Sequence, residues 1–485
     1  MDVSETDNSQ MGLRRDLGIW SAVAIVIGTV IGSGIFRVSS KMVAEVGSPG
    51  AVFLVWIFGG VLTLFGALTY AELAAAMPEA GGEYVYLKEA YGPLWGYLYG
   101  WTQMWVAKSG SIATIATLFF VYFANFVPIL DGVMTTVPLP IGPHGGPLEI
   151  RYGQLCSMAL ILVLGAVNYA GVKFGGRVQV GVTALKLGLI AGIIVIGVVA
   201  RQGSAANLAS SIPVAGGVAG FFTALVGALW AYDGWNNVSM VSSEIRQPQR
   251  SLPRALIAGT AAVIVIYLLT NLAYFRVLPA RDVAGAPRVA ALMMQRVFGS
   301  VGASAVSVAA MVSIFAALNG SILSGARVPY AMARDGLFFR KVAQVHPIYR
   351  TPGVSILALC GWAAVLVLSG RFEELYTYVI FASWILYGMT GVAVLVLRRR
   401  RPDLARPYKT LGYPGVPVLF VLGAAAVVWS TLLESPRESL LGLGIIAAGL
   451  PLYFHWRRKS RRESADIGAG FPGTTPRTGQ NHKKP

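Results

Sequence analysis

Ile27-Gly28-Thr29-Val30-Ile31-Gly32-Ser33-Gly34-Ile35-Phe36 lies in the middle of the first long apolar run of the chain. It sets Gly32, Ser33 and Gly34 side by side, three weak helix formers at a depth where a simple membrane anchor would keep its helix unbroken. Alone, such a cluster fits close packing of small residues against a neighbouring membrane helix as well as it fits an interruption. The sixth apolar run adds weight to interruption, because Leu229-Trp230-Ala231-Tyr232-Asp233-Gly234-Trp235-Asn236-Asn237 places an acid and a glycine at the corresponding depth. Two interrupted runs at matching positions point to unwound backbone.

That these runs cross a membrane follows from composition. Of 485 residues, 55% are hydrophobic and 13% charged, the latter about half the share expected of a soluble domain. Apolar segments recur at about 17–40, 50–77, 94–126, 154–172, 178–200, 217–242, 254–278, 301–330, 353–370, 375–397, 415–433 and 438–456. Each is long enough for a span, which takes roughly 20 residues and at least about 17. Continuous runs satisfy their backbone hydrogen bonds as helices, and the alternating pattern of a barrel is absent. The expected fold is an all-α membrane protein with twelve transmembrane helices. Runs one to five and six to ten form two units, each opening on an interrupted helix. An odd number of spans inverts the second unit relative to the first, and broken helices at equivalent places of inverted repeats mark a substrate site near the bilayer midplane.

The 39 Lys and Arg residues set the orientation. With alternate loops assigned to opposite sides, 27 fall on the side that holds both termini and 10 on the other, while Lys108 and Lys186 fall inside runs. Loops rich in Lys and Arg stay in the cytoplasm, so both termini are expected there, with the chain in the plasma (inner) membrane. The net charge of +17 then reports topology and contact with anionic lipid, with no need of a nucleic acid. Met1 to Ser9 is acidic and polar, and the first run is too long for a cleavable signal core. Residues 1–12 are expected to form a disordered cytoplasmic N-terminus and 458–485 a disordered basic tail. Between them lies a transporter domain over 13–457, with repeats at about 17–200 and 217–397 and helices eleven and twelve at about 415–456.

Other chemistry has little support. Cys156 and Cys360 lie far apart in apolar runs, and His144, His346, His455 and His482 are scattered. There is no phosphate-cradling Gly-Lys-Ser/Thr loop and no His-Glu-x-x-His, so no enzyme, cofactor or metal site is expected. An interrupted helix offers something different. It exposes N–H groups where its second half starts and C=O groups where its first half ends, so a pair of breaks can hold the zwitterion of an α-amino acid.

The charges inside the runs are the remaining exceptions. Lys186 lies about nine residues into the fifth run, some 13 Å deep at about 1.5 Å per residue. Too deep to snorkel, it either serves the transport cycle or sits in a buried ion pair. Lys108 carries the same two readings, and nothing in the sequence says which face it uses. Asp233 either contacts substrate or caps the second half-helix of run six.

Several separated stretches carry a family likeness. Ile27 to Phe36, Gly47-Ser48-Pro49-Gly50, Ala67-Leu68-Thr69-Tyr70-Ala71-Glu72-Leu73 and Gly81-Gly82-Glu83-Tyr84 come first. Ala231 to Asn236, with Glu244, Pro248 and Leu252-Pro253, follow, then Thr270 to Phe275, Asn319-Gly320-Ser321 and Arg406-Pro407. In this order, from about Leu13 to Trp456, the chain resembles the L-type amino acid transporter (light-chain) family of the amino acid-polyamine-organocation superfamily. The resemblance implies a LeuT-like 5+5 inverted repeat plus two C-terminal helices, working by alternating access. It implies that the substrate carboxylate meets N–H groups around Ser33 and Gly34, that the ammonium meets carbonyls near Val30, Trp230 and Asp233, and that Gly32 and Ala231 also belong to the substrate site. Trp230 takes the place of an aromatic gate, Asn236 that of a polar residue beside the sixth-run break, and Ser383 and Trp384 face the same cavity. Lys186 matches a lysine whose ammonium stands where sodium-coupled relatives hold a cation, and Ser321 joins it in coupling.

Asp233 departs from the glycine of members that carry large neutral substrates, which leaves small polar or cationic substrates open. Eukaryotic members pair with a glycoprotein through a cysteine between spans three and four. Phe126 to Arg151 contains none, so a stand-alone prokaryotic transporter without a disulfide-linked heavy chain is expected. The expected function is secondary active transport of L-amino acids, by exchange if Lys186 stays charged or by proton-coupled uptake if it releases its proton. A cationic amino acid or polyamine antiporter and a transporter-like amino acid sensor are the alternatives.

Overall fold

The apolar runs fold as helices in a computed structural model of the chain, which describes residues 12–138, 147–214, 216–369, 372–434 and 436–469. Residues 1–11 and 470–485, which hold most of the expected N-terminal and tail segments, lie outside the described residues, as does His144.

Helix α1 (Ile19–Val30) stops short, and a 3₁₀ turn over Gly34–Phe36 separates it from α2 (Val38–Val46). Ser48 then caps α3 (Pro49–Ala76), accepting from the Ala51 N–H at 3.3 Å, and Pro49 occupies the first turn, where its missing N–H is no loss. After α4 (Glu83–Tyr91), α5 (Pro93–Thr102) continues into α6 (Lys108–Phe123) across a π turn at Gln103–Ala107. Beyond α6, strands β1 (Val133–Val137) and β2 (Leu148–Arg151) pair antiparallel. This hairpin adds a small two-stranded sheet to a mostly helical chain. Val133–Val137 is built from β-branched residues apart from Met134, and it lies outside the apolar runs.

The chain continues through α7 (Tyr152–Tyr169), α8 (Val172–Val199), α9 (Gly217–Ala231) and the four-residue α10 (Asn237–Met240). Then come α11 (Pro248–Val277), α12 (Ala280–Ala284), α13 (Val289–Gly325), which bends at Gly299, and α14 (Arg327–Arg334). The last helices are α15 (Gly353–Leu368), α16 (Phe372–Arg400), α17 (Gly415–Glu434) and α18 (Pro436–Ala469). Helix α18 runs well past Trp456, where the last apolar segment ends.

The described chain is mostly helical, and nine of its helical stretches are long and apolar enough to cross a membrane. Helices α1, α9 and α15 are shorter and equally apolar. Trp20, Val195, Val265, Val301 and Leu433 are exposed, whereas Glu83, Lys186 and Arg327 are fully buried. That inversion of the soluble pattern suits a protein surrounded by lipid.

Helix α1 sits inside the bundle against α8, α11 and α13, while α3 packs on α11, α6 on α13 and α7 on α15. The Trp56 ring of α3 meets Tyr232 and Tyr267 edge-on at centroid distances of 5.5 and 5.0 Å. Aromatic pairs of this kind contribute about 0.5–1.5 kcal/mol each beyond their burial. They fasten α3 and α11 to the end of α9, which positions the two interruptions next to each other.

Candidate functional site

In an unbroken helix the carbonyls of Gly28, Val30 and Ile31 would accept from the N–H groups four residues on, those of Gly32, Gly34 and Ile35. The last helical bond of α1 is Ile31 N–H to the Ile27 carbonyl, at 3.0 Å. Past it the backbone turns away, and side chains from three other helices take the places of the missing donors. The Lys186 ammonium of α8 donates to the Gly28 carbonyl at 2.9 Å, the Ile31 carbonyl at 2.5 Å and the Ser313 carbonyl of α13 at 3.3 Å. The Ser313 hydroxyl adds bonds to the carbonyls of Ile31 (2.9 Å) and Gly32 (3.2 Å). The Tyr267 hydroxyl of α11 lies 3.1 Å from the Val30 carbonyl and 2.7 Å from that of Ala231, spanning the ends of α1 and α9.

The second interruption has its own geometry. Helix α9 ends at Ala231, and Gly234 takes φ +98°, a left-handed value that favours glycine. Its carbonyl accepts from the Thr29 hydroxyl at 2.8 Å, tying the two breaks together. They approach so closely that a Cβ on Gly34 would lie 2.9 Å from the Ala231 Cβ and 3.1 Å from its Cα. The N–H groups of Gly32, Ser33 and Gly34 have no backbone acceptor among the described residues.

Between the breaks is a cavity of about 70 Å³. Thr29, Val30, Gly32, Ser33 and Gly34 line one side, and Trp230, Ala231, Asp233, Gly234 and Asn237 another. Helix α6 contributes Lys108, Ser111, Thr114 and Ile115, and α13 contributes Ala317 and Ser321. The lining therefore holds one cation, Lys108, and one anion, Asp233. Lys108 donates to the Asn237 side-chain oxygen at 2.6 Å, and Asp233 accepts from the Tyr387 hydroxyl at 2.9 Å. Behind Asn237 lies the fully buried Glu83, which accepts from Tyr99 (3.0 Å), Ser239 (3.3 Å) and the Asn236 amide. No cation lies within ion-pair distance of Glu83 among the described residues. Hydrogen bonds from neutral donors hold it in place.

Nine of the residues singled out from the sequence meet at this cavity: Val30, Gly32, Ser33, Gly34, Lys108, Trp230, Ala231, Asp233 and Ser321. Lys186 is adjacent, on the far side of the α1 break, and no acid pairs with it among the described residues. Three positions fall elsewhere. Asn236 turns to Glu83, leaving its neighbour Asn237 to the cavity. Ser383 and Trp384 are buried outside the lining, Trp384 packing on Tyr387 and Phe420, and α16 reaches the site through the Tyr387 bond to Asp233. Ser321 makes no hydrogen bond to Lys186 among the described residues; the partner of Lys186 on α13 is the Ser313 carbonyl, more than two turns earlier. Asp233 is not the cap of α10 either, since the capping position belongs to Asn236 and has no side-chain capping bond.

The family model for amino acid permeases matches residues 17–447. The chain belongs to the amino acid permease family. The permease is 34% identical over 454 residues to the serine/threonine exchanger SteT of Bacillus subtilis (strain 168), covering 92% of this chain and 98% of the exchanger. It is 32% identical over 455 residues to the b(0,+)-type amino acid transporter 1 of Rattus norvegicus, covering 93% and 90% of the two chains. It is also 32% identical over 463 residues to the Asc-type amino acid transporter 1 of Mus musculus, covering 94% and 84%. The permease is thus a multi-pass membrane transporter of amino acids and not an enzyme. Cys156 and Cys360 are free, and no group of His, Cys, Asp and Glu among the described residues could hold a metal ion.

Sequence reasoning did not find Tyr267, Ser313, Tyr387 or Asn237. Tyr267 stands in an apolar run like any packed aromatic, and only its hydroxyl geometry distinguishes it.

Proposed function

We propose that the permease exchanges L-amino acids across the plasma membrane by alternating access. The reading rests on the paired interruptions of α1 and α9. They put free N–H groups at Gly32–Gly34 and carbonyl ends at Val30 and Ala231 around one cavity, a pattern complementary to a zwitterion. The substrate carboxylate meets the N–H groups and its ammonium the carbonyl ends. Trp230 closes over it, and Asp233 bounds the side-chain pocket.

Exchange is preferred over proton-coupled uptake because of Lys186. Three carbonyls surround its nitrogen. An ammonium supplies three donors, whereas a neutral amine supplies two and turns a lone pair toward an acceptor. The charged form fits, and it stands in for a coupling cation. That one of the relatives is named an exchanger agrees.

The membrane arrangement belongs to the same proposal. The nine long helical stretches with α1, α9 and α15 make twelve spans, arranged as a LeuT-like 5+5 inverted repeat plus two C-terminal helices. The packing of α3 on α11, α6 on α13 and α7 on α15 pairs equivalent members of the two units, which supports it. Both termini lie in the cytoplasm, flanking the transporter domain of residues 13–457, and no heavy chain is needed.

Proteoliposomes test the proposal. Labelled L-serine should enter vesicles loaded with unlabelled L-serine and not empty ones. Uptake into empty vesicles driven by an inward proton gradient would replace exchange with proton-coupled uptake.

A cationic amino acid or polyamine antiporter is the second reading, favoured by Asp233 in the lining. Lys108 in the same lining offsets that charge and favours zwitterions over multiply charged cations. Competition of labelled serine uptake by leucine, arginine and spermidine separates the two.

A further inference from the structure

A second cavity, of about 450 Å³, lies where α11 begins. One face of α11 supplies Arg250, Arg254 and Ala258, and the loop residues Pro407 and Tyr408 stand opposite. Arg250 and Arg254 are four residues apart, hence neighbours on one side of the helix. Both are exposed, and neither guanidinium has a hydrogen bond or ion pair among the described residues. Nearby arginines differ. Arg246 bonds the Arg15 carbonyl and pairs with Asp16, and Arg398 and Arg406 share Glu72. Tyr408 stands at the cavity wall with its hydroxyl buried. The cavity thus offers two unmatched guanidiniums.

The face that carries the two arginines does not end with them. Ala258, Val265 and Leu269 continue it along α11, apolar and exposed. In a membrane transporter such a stripe faces acyl chains, so the cavity opens where the headgroups of that leaflet begin.

We propose that this cavity binds the phosphate of an anionic phospholipid whose acyl chains lie along the exposed face of α11. Guanidiniums match a phosphodiester in charge and in donor geometry. The unbroken passage from arginines to apolar stripe selects a lipid over a soluble phosphate.

Native mass spectrometry of the purified permease tests this, in micelles with equal amounts of phosphatidylglycerol and phosphatidylcholine. The wild type should retain phosphatidylglycerol selectively. Arg250→Gln/Arg254→Gln should lose that selectivity by roughly 25-fold, at about fivefold for each basic residue near a lipid surface. The control pair Arg457→Gln/Arg458→Gln should keep it, and inorganic phosphate should not displace the lipid. Unchanged selectivity in the first pair overturns the site, and equal loss in the control pair shows diffuse attraction instead. Displacement by inorganic phosphate shows a soluble-anion site. A photo-crosslinking phosphatidylglycerol provides a readout on the wild type alone. Labelling within residues 248–258 or 401–414 supports the proposal, and labelling confined to other segments overturns it.

Discussion

The Lys186 ammonium lies 2.9 Å from the carbonyl oxygen of Gly28, where an unbroken helix would place the N–H of Gly32. A lysine from α8 thereby supplies donors to the carbonyls of α1 while leaving the N–H groups of Gly32–Gly34 open. The interruption and the lysine form one device, and that makes the lysine's role testable.

Lys186→Ala leaves buried carbonyls of α1 without donors, at about 1–3 kcal/mol for each unsatisfied group. Exchange in proteoliposomes should fall by at least about tenfold, which corresponds to roughly 1.4 kcal/mol, in protein that still elutes as a single species. Wild-type exchange in this variant would remove Lys186 from the transport cycle.

Tyr267→Phe removes the hydroxyl between the Val30 and Ala231 carbonyls but keeps the ring against Trp56 and Tyr232. Loss of one hydrogen bond of about 1 kcal/mol predicts an exchange rate about fivefold lower, with little change in thermal midpoint. A large drop in midpoint with unaltered exchange would make the tyrosine a packing residue only.

Gly34→Ala drives a methyl group into Ala231. Transport should be lost, and Ala231→Gly on the same chain should restore part of it, because the clash is between those two residues. If the double variant stays as inactive as the single one, close approach is not the reason for glycine at 34.

Asp233→Asn removes the anion from the cavity lining while keeping an acceptor for Tyr387. Competition assays should show arginine losing ground to serine. An unchanged ranking would place the carboxylate outside substrate recognition.

Much of this arrangement was legible in the sequence, and where legibility failed the reasons are geometric. Apolar length and composition report helices, and Gly32-Ser33-Gly34 and Asp233-Gly234 report interruptions because the two clusters fall at matching depths of the two units. Which face a residue occupies is harder to read. Asn236 and Asn237 are adjacent and chemically identical, yet one turns to Glu83 and the other to Lys108. Ser313 and Ser321 lie on one helix, and only the depth of the α1 break decides which of them meets Lys186. Ser383 and Trp384 lie outside the cavity lining for the same reason, since α16 reaches the site through Tyr387. Glu83 was visible only as part of a loop motif, because its burial depends on α4 folding back beneath the α9–α10 turn.

The most direct test is an electron cryomicroscopy structure of the permease with L-serine bound. The account predicts density for the carboxylate within hydrogen-bond distance of the N–H groups of Gly32–Gly34, and for the ammonium at the carbonyl ends of Val30 and Ala231. Serine bound away from both interruptions, with the cavity between α1 and α9 unchanged, would contradict it.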